Sequence, residues 1–160
     1  SLGNSFAGLM LKKNIIKEND SIKKFFIQKY LYPNPCMIGN NLRFIATSSI
    51  DISDGFFGDL DKLLYPKNLG ANINIKSIPI LPKLKNLIRL HRIKINKLLS
   101  AGDDYEILFT SNAKRRNYIN SLSKKIKIKI TKVGTIINKK GIYADGKILN
   151  LNKRSFQYHF

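Results

Sequence analysis

The side chains best suited to chemistry in this sequence are the oxygen-bearing residues Asp51, Ser53 and Asp54. The apolar spacing that follows predicts that an extended segment ends here and that a helix starts near Gly55. Asp51 and Ser53, two positions apart on an extended strand, would point the same way, and Asp54 would lie at the helix entrance. Oxygen ligands suit Mg²⁺ and the N–H groups of a helix N-terminus suit a phosphate, so the pattern predicts a metal-phosphate site. A simpler alternative stays open, in which Asp54 only caps the helix and Asp51 is solvated.

Acidic side chains are concentrated around this motif and one other. The chain carries 29 Lys and Arg against 10 Asp and Glu, yet ranges 44–61 and 98–113 contain no Lys or Arg. Seven of the ten carboxylates fall in those two ranges, namely Asp51, Asp54, Asp59, Asp61, Asp103, Asp104 and Glu106. Acidic groups needed only for solubility would not cluster in this way in so basic a protein. The distribution favours metal ions held beside a polyphosphate.

Length and composition limit the other classes of function. At 160 residues with 43% apolar content, the chain is predicted to form one domain with its own core. Cys36 is the only cysteine, which excludes an internal disulfide and favours the reducing cytoplasm. No apolar run approaches the roughly 20 residues that cross a bilayer, and the first residues lack the features of a signal peptide. We therefore expect a cytoplasmic protein without a membrane partner.

The net charge of +19 has two interpretations. At face value it suggests a nucleic acid or an anionic membrane surface as partner. However, Lys, Asn and Ile are abundant and Ala is sparse, as the codon usage of an AT-rich genome produces without any basic function. The basic residues are also spread through the chain, and no RNA-binding aromatic signature or zinc-finger spacing accompanies them. We expect no specific nucleic-acid partner.

The elements that must position the two acidic motifs are interleaved helices and strands. A buried strand is predicted over Ile107–Thr110, directly after the second acidic motif. Other strands are predicted at about 70–75, 126–137 and 141–151, with turns at 138–141 and 145–146. Helices are predicted from residue 20 or 21, and over 36–44, 84–90, 95–99 and 113–124. This order lacks a strict β-α-β rhythm and predicts an α+β fold, a layered α/β/α domain with a mixed β-sheet.

Two motifs, in order and about fifty residues apart, resemble those of the thiamine-monophosphate kinase family. The segment from Ser49 to Leu60 is similar to the family's D-[IV]-S-D-G-L-x-x-D-L, and the segment from Gly102 to Thr110 is similar to its G-E-D-Y-E-L-x-F-T. Residues 2–9 resemble the L-G-D-S-A-A-G-L that opens the family's C-terminal half. The resemblance covers essentially the whole chain and implies the fold of the C-terminal domain of aminoimidazole ribonucleotide synthetase-like proteins.

This resemblance implies an activity and roles for particular residues. The family transfers the γ-phosphoryl group of ATP to thiamine monophosphate, with Mg²⁺, giving thiamine diphosphate. The implied roles are Mg²⁺ binding for Asp51 and Asp54, ATP contact for Ser53, and substrate binding for Asp103 and Phe156. Carboxylate-held metal ions can carry phosphoryl transfer without a covalent intermediate, so no catalytic side chain is expected.

The chain departs from the family pattern at three positions or segments. Asp103 stands where the family has Glu, which keeps the charge but shortens the side chain by one methylene. Asn4 stands where the family has Asp. Residues 155–160 only loosely follow the family's G-[FYW]-D-H-F ending, so Tyr158 competes with Phe156 for the role of the aromatic that packs on the thiamine.

A fourth departure concerns the whole protein. In this family an N-terminal domain supplies most of the metal-binding aspartates and the dimer interface, and nothing in residues 1–160 corresponds to it. We expect these residues to be the single C-terminal domain of a kinase that is a homodimer at full length and inactive as this fragment alone. The alternative is a non-catalytic basic binding module of the same fold.

Overall fold

The computed structural model describes residues 1–144 and 146–149, over which helices alternate with short strands. The helices are α1 (Asn4–Lys12), α2 (Asp20–Leu31), α3 (Gly39–Leu42), α4 (Phe56–Leu64), α5 (Pro82–Leu90), α6 (Ile95–Leu99) and α7 (Arg116–Ile126). The strands are β1 (Ser48–Asp51), β2 (Gly70–Ile73), β3 (Ile107–Thr110), β4 (Gly134–Ile137), β5 (Gly141–Ala144) and β6 (Lys147–Ile148). Phe156 and Tyr158, predicted as substrate-packing aromatics, lie outside the described residues.

The larger sheet is mixed, with strand order β4-β2-β5-β6. Its central pair, β2 and β5, is parallel, whereas β2 with β4 and β5 with β6 are antiparallel. Gly70 at the start of β2 lies opposite both Ile137 and Gly141. Helices and a mixed sheet in one chain confirm the α+β class that the order of elements predicts.

The smaller sheet joins the two acidic motifs. β1 and β3 pair antiparallel, with Ser48 opposite Thr110 and Asp51 opposite Ile107. The pairing continues beyond the strands, since Ile52 N–H donates to the Glu106 carbonyl at 2.8 Å and Tyr105 N–H donates to the Ile52 carbonyl at 3.0 Å. This ladder brings the end of one motif against the start of the other.

Local sequence signals explain where the helices begin and end. The Asn19 side chain accepts the Ile22 N–H at 3.0 Å and so caps α2. That helix ends before Pro33, because a proline disfavours helical geometry in the residue that precedes it. Pro82 occupies the first turn of α5, where a missing N–H costs nothing. Among the described residues, no helix is long and apolar enough to cross a bilayer.

The main core lies between α4, the mixed sheet and the flanking helices. α4 contributes Phe56, Phe57, Leu60 and Leu64, none more than 3% exposed, as the apolar spacing predicts. A smaller apolar cluster lies around α3 and α7 and contains Ile38, Leu42, Ile45 and Leu122. The helix that carries the first acidic motif is therefore fixed to the main core along one face.

One predicted strand is wrong over most of its length. The structure continues α7 to Ile126, and only Gly134–Ile137 of the predicted 126–137 segment is a strand. Burial does alternate along this segment, because Ile128 and Ile130 are half-buried and the lysines that alternate with them are exposed. The alternation reflects packing of an extended segment on the smaller apolar cluster, not pairing with another strand. That segment is held by Ser123, whose hydroxyl donates to the Ile128 carbonyl at 2.7 Å and accepts the Ile130 N–H at 3.2 Å. The predicted short helix at 36–44 is likewise confined to α3.

Candidate functional site

The two acidic motifs meet through their backbones. Asp103 N–H donates to the Ser53 carbonyl at 3.0 Å, next to Gly102. A Cβ atom at residue 102 would lie only 1.9 Å from the Ser53 carbonyl oxygen, so no side chain fits there. The loop that follows β1 and the loop that precedes β3 therefore form one surface.

A second glycine turns the chain from the first motif into α4. Gly55 has φ +104°, and a Cβ atom there would approach the Ser100 carbonyl carbon to 2.6 Å. It is the residue that precedes α4, and no side chain caps that helix. The alternative that Asp54 serves as the helix cap is therefore wrong, and its carboxylate points to a different partner.

Asp59 fixes the first motif from inside α4. Its side chain is fully buried, and its Oδ2 accepts the N–H groups of Ser53 and Asp54, each at 2.9 Å. Its Oδ1 accepts from Lys62 Nζ at 2.9 Å. The motif pattern alone predicts no role for Asp59, although a carboxylate within the apolar stripe of a helix is a signal for a buried polar partner.

Lys62 connects the buried carboxylate to the exposed one. Its ammonium donates to Asp54 Oδ2 as well as to Asp59 Oδ1. The hydrogen bond to Asp54, followed by that to Asp59, raises the pKa of the Lys62 ammonium above its ordinary value. The Asp54 side chain is thus oriented by a cation that is itself anchored in the helix.

The second motif places its first carboxylate beside the first motif. Asp103 and Tyr105 adopt left-handed backbone conformations, with φ of +67° and +50°, and such geometry in residues with side chains is concentrated at functional sites. Burial raises the pKa of the Asp103 carboxyl, a hydrogen bond with Tyr105 opposes that rise, and the charge of Asp54 adds to it. The carboxylates of the two motifs are therefore close enough to interact.

Asp104, for which the sequence predicts no individual role, holds α1 against the second motif. Its carboxylate accepts the N–H groups of Gly3 and Ser5, which are free donors at the helix start. The Ser5 hydroxyl donates to the Asp103 carbonyl at 2.6 Å. Burial raises the pKa of Asp104 to about 6, against the opposing effect of the two N–H donors. No signal in the sequence links these residues, because they lie about a hundred positions apart.

A cleft of about 180 Å³ opens where α1, α2 and the two motifs meet. Its walls combine carboxylates, hydroxyl groups and aromatic rings. The lining residues used below are Phe6, Tyr30, Ser53, Asp54, Asp103 and Tyr105. Of the residues predicted from the sequence, Ser53, Asp54 and Asp103 are brought together here, whereas Asp51 lies exposed at the end of β1 and is not part of the lining.

The donor atoms of the first motif suit a hard cation. Asp51, Ser53 and Asp54 offer carboxylate and hydroxyl oxygens, which are the ligands that Mg²⁺ takes. Among the described residues, no three His, Cys, Asp or Glu side chains are grouped closely enough to hold a metal ion by themselves. A metal ion at this position would need further oxygens from a phosphate, from water or from another part of the protein.

Comparison with solved structures defines the class of fold. The Stenotrophomonas maltophilia K279a thiamine-monophosphate kinase matches with a TM-score of 0.82 and 26% identity, over 93% of this chain and 49% of that one. AaThiL, solved in complex with AMPPCP and TMP, matches with a TM-score of 0.79 and 27% identity, over 94% and 47%. Escherichia coli HypE, a hydrogenase maturation protein, shares the fold at 12% identity, with a TM-score of 0.72 over 96% and 48%. The chain therefore has the fold of the aminoimidazole ribonucleotide synthetase-like proteins.

Sequence comparison names the family within that class. Thiamine-monophosphate kinase of Buchnera aphidicola (strain APS) is 40% identical over 138 residues, 85% of this chain and 42% of that protein. The Haemophilus influenzae enzyme is 31% identical over 170 residues, 100% of this chain and 50% of that protein. No family model matches the chain. The chain belongs to the thiamine-monophosphate kinase family, and it spans about half the length of the curated relatives it matches.

Proposed function

We propose that this chain is the C-terminal domain of a thiamine-monophosphate kinase. The full-length protein would transfer the γ-phosphoryl group of ATP directly to thiamine monophosphate, in the cytoplasm and as a homodimer, and release ADP and thiamine diphosphate. An N-terminal domain would supply the remaining nucleotide and metal contacts. The observation that carries the proposal is the cleft in which both family motifs meet, together with the AMPPCP and TMP bound by AaThiL.

The lining of the cleft suits the two ends of thiamine monophosphate differently. The heterocyclic end of thiamine monophosphate carries a positive charge, and Phe6, Tyr30 and Tyr105 contribute aromatic rings to the lining, a residue type that can stabilise such a cation. The carboxylate of Asp103 adds an opposite charge close by. These residues would orient the heterocycle, which leaves the phosphate end directed toward the first motif.

The first motif would hold the phosphates of the reaction. Asp51 and Asp54 would bind Mg²⁺, which when bound neutralises the negative charge that phosphates bring together. Ser53, whose N–H is held by Asp59, would present its hydroxyl to ATP. Phosphoryl transfer depends mainly on such positioning and charge neutralisation, so no side-chain nucleophile is needed. Asp103 in place of Glu would act from a position one methylene shorter, and Phe156 or Tyr158 would complete the heterocycle site.

Reconstruction of the full-length protein tests the proposal. The upstream reading frame should encode an in-frame segment with a Gly-Asp-Asp-Ala pattern. The purified full-length protein should convert thiamine monophosphate and ATP to thiamine diphosphate and ADP. Separation of the thiamine phosphates after the reaction measures this conversion. Absence of turnover in a folded full-length protein would refute the kinase function.

The isolated chain gives a second, independent measurement. The 160-residue chain alone should show no turnover, because the phosphate and metal contacts would be shared between two domains. Turnover by this chain alone would refute the division of the site between domains but not the reaction. A start codon immediately before Ser1, with no upstream segment, would instead favour the binding module.

A further inference from the structure

Lys62 places a cation between the carboxylate that anchors the first motif and the carboxylate that lines the cleft. Its Nζ lies 2.9 Å from Asp59 Oδ1 and also donates to Asp54 Oδ2. The Asp59 side chain is 1% exposed, whereas those of Lys62 and Asp54 are 47% and 37% exposed. The ammonium is therefore bound on one side to the buried Asp59 carboxylate and on the other to the carboxylate of Asp54, which lines the cleft.

The bond between Lys62 and Asp59 is the harder of the two to break. Asp59 is the only residue whose side chain accepts the N–H groups of both Ser53 and Asp54 in the described chain, and a buried carboxylate is costly without a positive partner. Lys62 is the cation that the structure gives it. The bond to Asp54 lies at the more exposed end and is the easier one to break. Lys62 thus remains near Asp54 whether or not that bond is formed.

A divalent cation bound to Asp54 would compete with this ammonium. Oxygen ligands of Mg²⁺ lie about 2.1 Å from the metal, so the ion and the ammonium cannot both occupy the same lone pairs of Oδ2. Once displaced, the ammonium would remain a few ångströms away and repel the ion. The competition exists because Lys62 is fixed by Asp59, not because the chain is basic overall.

We propose that Lys62 is a positioning residue that holds Asp54 in place until a divalent cation displaces it, and that it thereby weakens divalent-cation binding at Asp54. The inference rests on the proposed function, since it takes Asp54 as a metal ligand. Removal of one positive charge roughly 4 Å from a divalent ion should strengthen its binding about tenfold, after screening by salt.

Direct Mn²⁺ binding to the purified full-length protein tests this role, with free Mn²⁺ measured by electron paramagnetic resonance at low salt. Lys62→Met should bind Mn²⁺ about tenfold more tightly than the unchanged chain. Lys62→Arg, which keeps the charge, should bind as the unchanged chain does. Lys85→Met, which removes an exposed lysine of α5, controls for net charge and should also leave affinity unchanged.

Lys62→Met leaves Asp59 buried without a cation and can fail to fold, so a second uncharged variant is needed. Lys62→Gln removes the charge but keeps a side-chain N–H donor for Asp59, and it should bind Mn²⁺ about tenfold more tightly than Lys62→Arg. If the role of Lys62 were purely structural, its replacement would lower the unfolding midpoint and would not strengthen Mn²⁺ binding.

The outcomes separate this inference from the proposed function. Equal or weaker Mn²⁺ binding in the uncharged variants Lys62→Met and Lys62→Gln overturns the role of Lys62 and leaves the kinase proposal standing. No Mn²⁺ binding that depends on Asp54, judged with Asp54→Asn, overturns both the inference and the assignment of Asp54 to the metal. Turnover by the full-length protein remains a separate test of the reaction.

Discussion

Replacement of Gly102 by Ala tests whether contact between the two motif loops is as close as the structure indicates. The added Cβ atom would lie 1.9 Å from the Ser53 carbonyl oxygen and 2.8 Å from its carbonyl carbon. Both are backbone atoms, so the clash can be relieved only if the loops separate. Separation would break two hydrogen bonds, Asp103 N–H to Ser53 O and Tyr105 N–H to Ile52 O, each 3.0 Å long.

The expected loss of stability follows from these contacts. Two backbone hydrogen bonds contribute about 1 kcal/mol each, and overpacking costs a further 1–3 kcal/mol. Alanine also restricts the unfolded chain more than glycine does, which stabilises the folded state by roughly 0.4–1 kcal/mol. Gly102→Ala should therefore lower the free energy of unfolding by about 2–5 kcal/mol, a large part of the roughly 5–15 kcal/mol typical of a domain.

Urea unfolding followed by circular dichroism measures this loss, with Gly39→Ala as the matched control. An added Cβ atom at Gly39 meets nothing within 4 Å, and the residue lies in α3. That variant should lose no stability and can gain up to about 1 kcal/mol. If Gly102→Ala unfolds within about 0.5 kcal/mol of the unchanged chain, the loops do not pack as described and the cleft between them is wrong.

Three further predictions concern charge. In the full-length protein, Asp51→Asn and Asp54→Asn should each lower turnover by orders of magnitude while urea unfolding changes by about 1 kcal/mol or less, because each removes a metal ligand and at most an exposed ion pair; near-normal turnover would contradict the metal role. Burial raises the pKa of Asp104 from 3.8 to about 6, so between these pH values the folded chain binds more protons than the unfolded chain. The free energy of unfolding should therefore fall by up to about 3 kcal/mol as the pH rises through this range. Urea midpoints measured across this pH range should show a shallower fall for Asp104→Asn, and equal slopes would count against the buried carboxyl. Titration with random duplex DNA at physiological ionic strength should show no sub-micromolar binding, and such binding would favour the binding module over the kinase.

The parts of the site that sequence analysis predicts correctly are those encoded by short-range patterns. The apolar spacing after Gly55 locates the start of α4, whereas the meeting of Ser53, Asp54 and Asp103 at one cleft is seen only in the folded structure. The roles assigned to Asp51 and Asp54 as metal ligands stay predictions. Backbone geometry near each motif follows from residue type and spacing, so a single sequence carries that information.

The features that the sequence does not predict depend on contacts that form only in the folded chain. Asp104 acts on donors that lie about a hundred residues earlier, and the Lys62 bridge depends on which rotamers bring three side chains together. The wrong strand at 126–137 has another cause. Alternation of isoleucine and lysine reports which side of an extended segment is buried, and it does not report whether another strand pairs with that segment.

The walls of the cleft come from four separate parts of the chain, at positions 5, 6 and 9, position 30, positions 53–54, and positions 101–103 and 105. The cleft therefore cannot exist in any partly folded form that lacks one of these segments. The bond between Gly3 and Asp104 alone closes a loop of 101 positions. Such non-local contacts raise the contact order and slow folding, because the entropy of a long loop is lost before any contact compensates for it. A ligand of the cleft would therefore bind only the completed fold, and its affinity could be read from the upward shift that it causes in the midpoint of global unfolding.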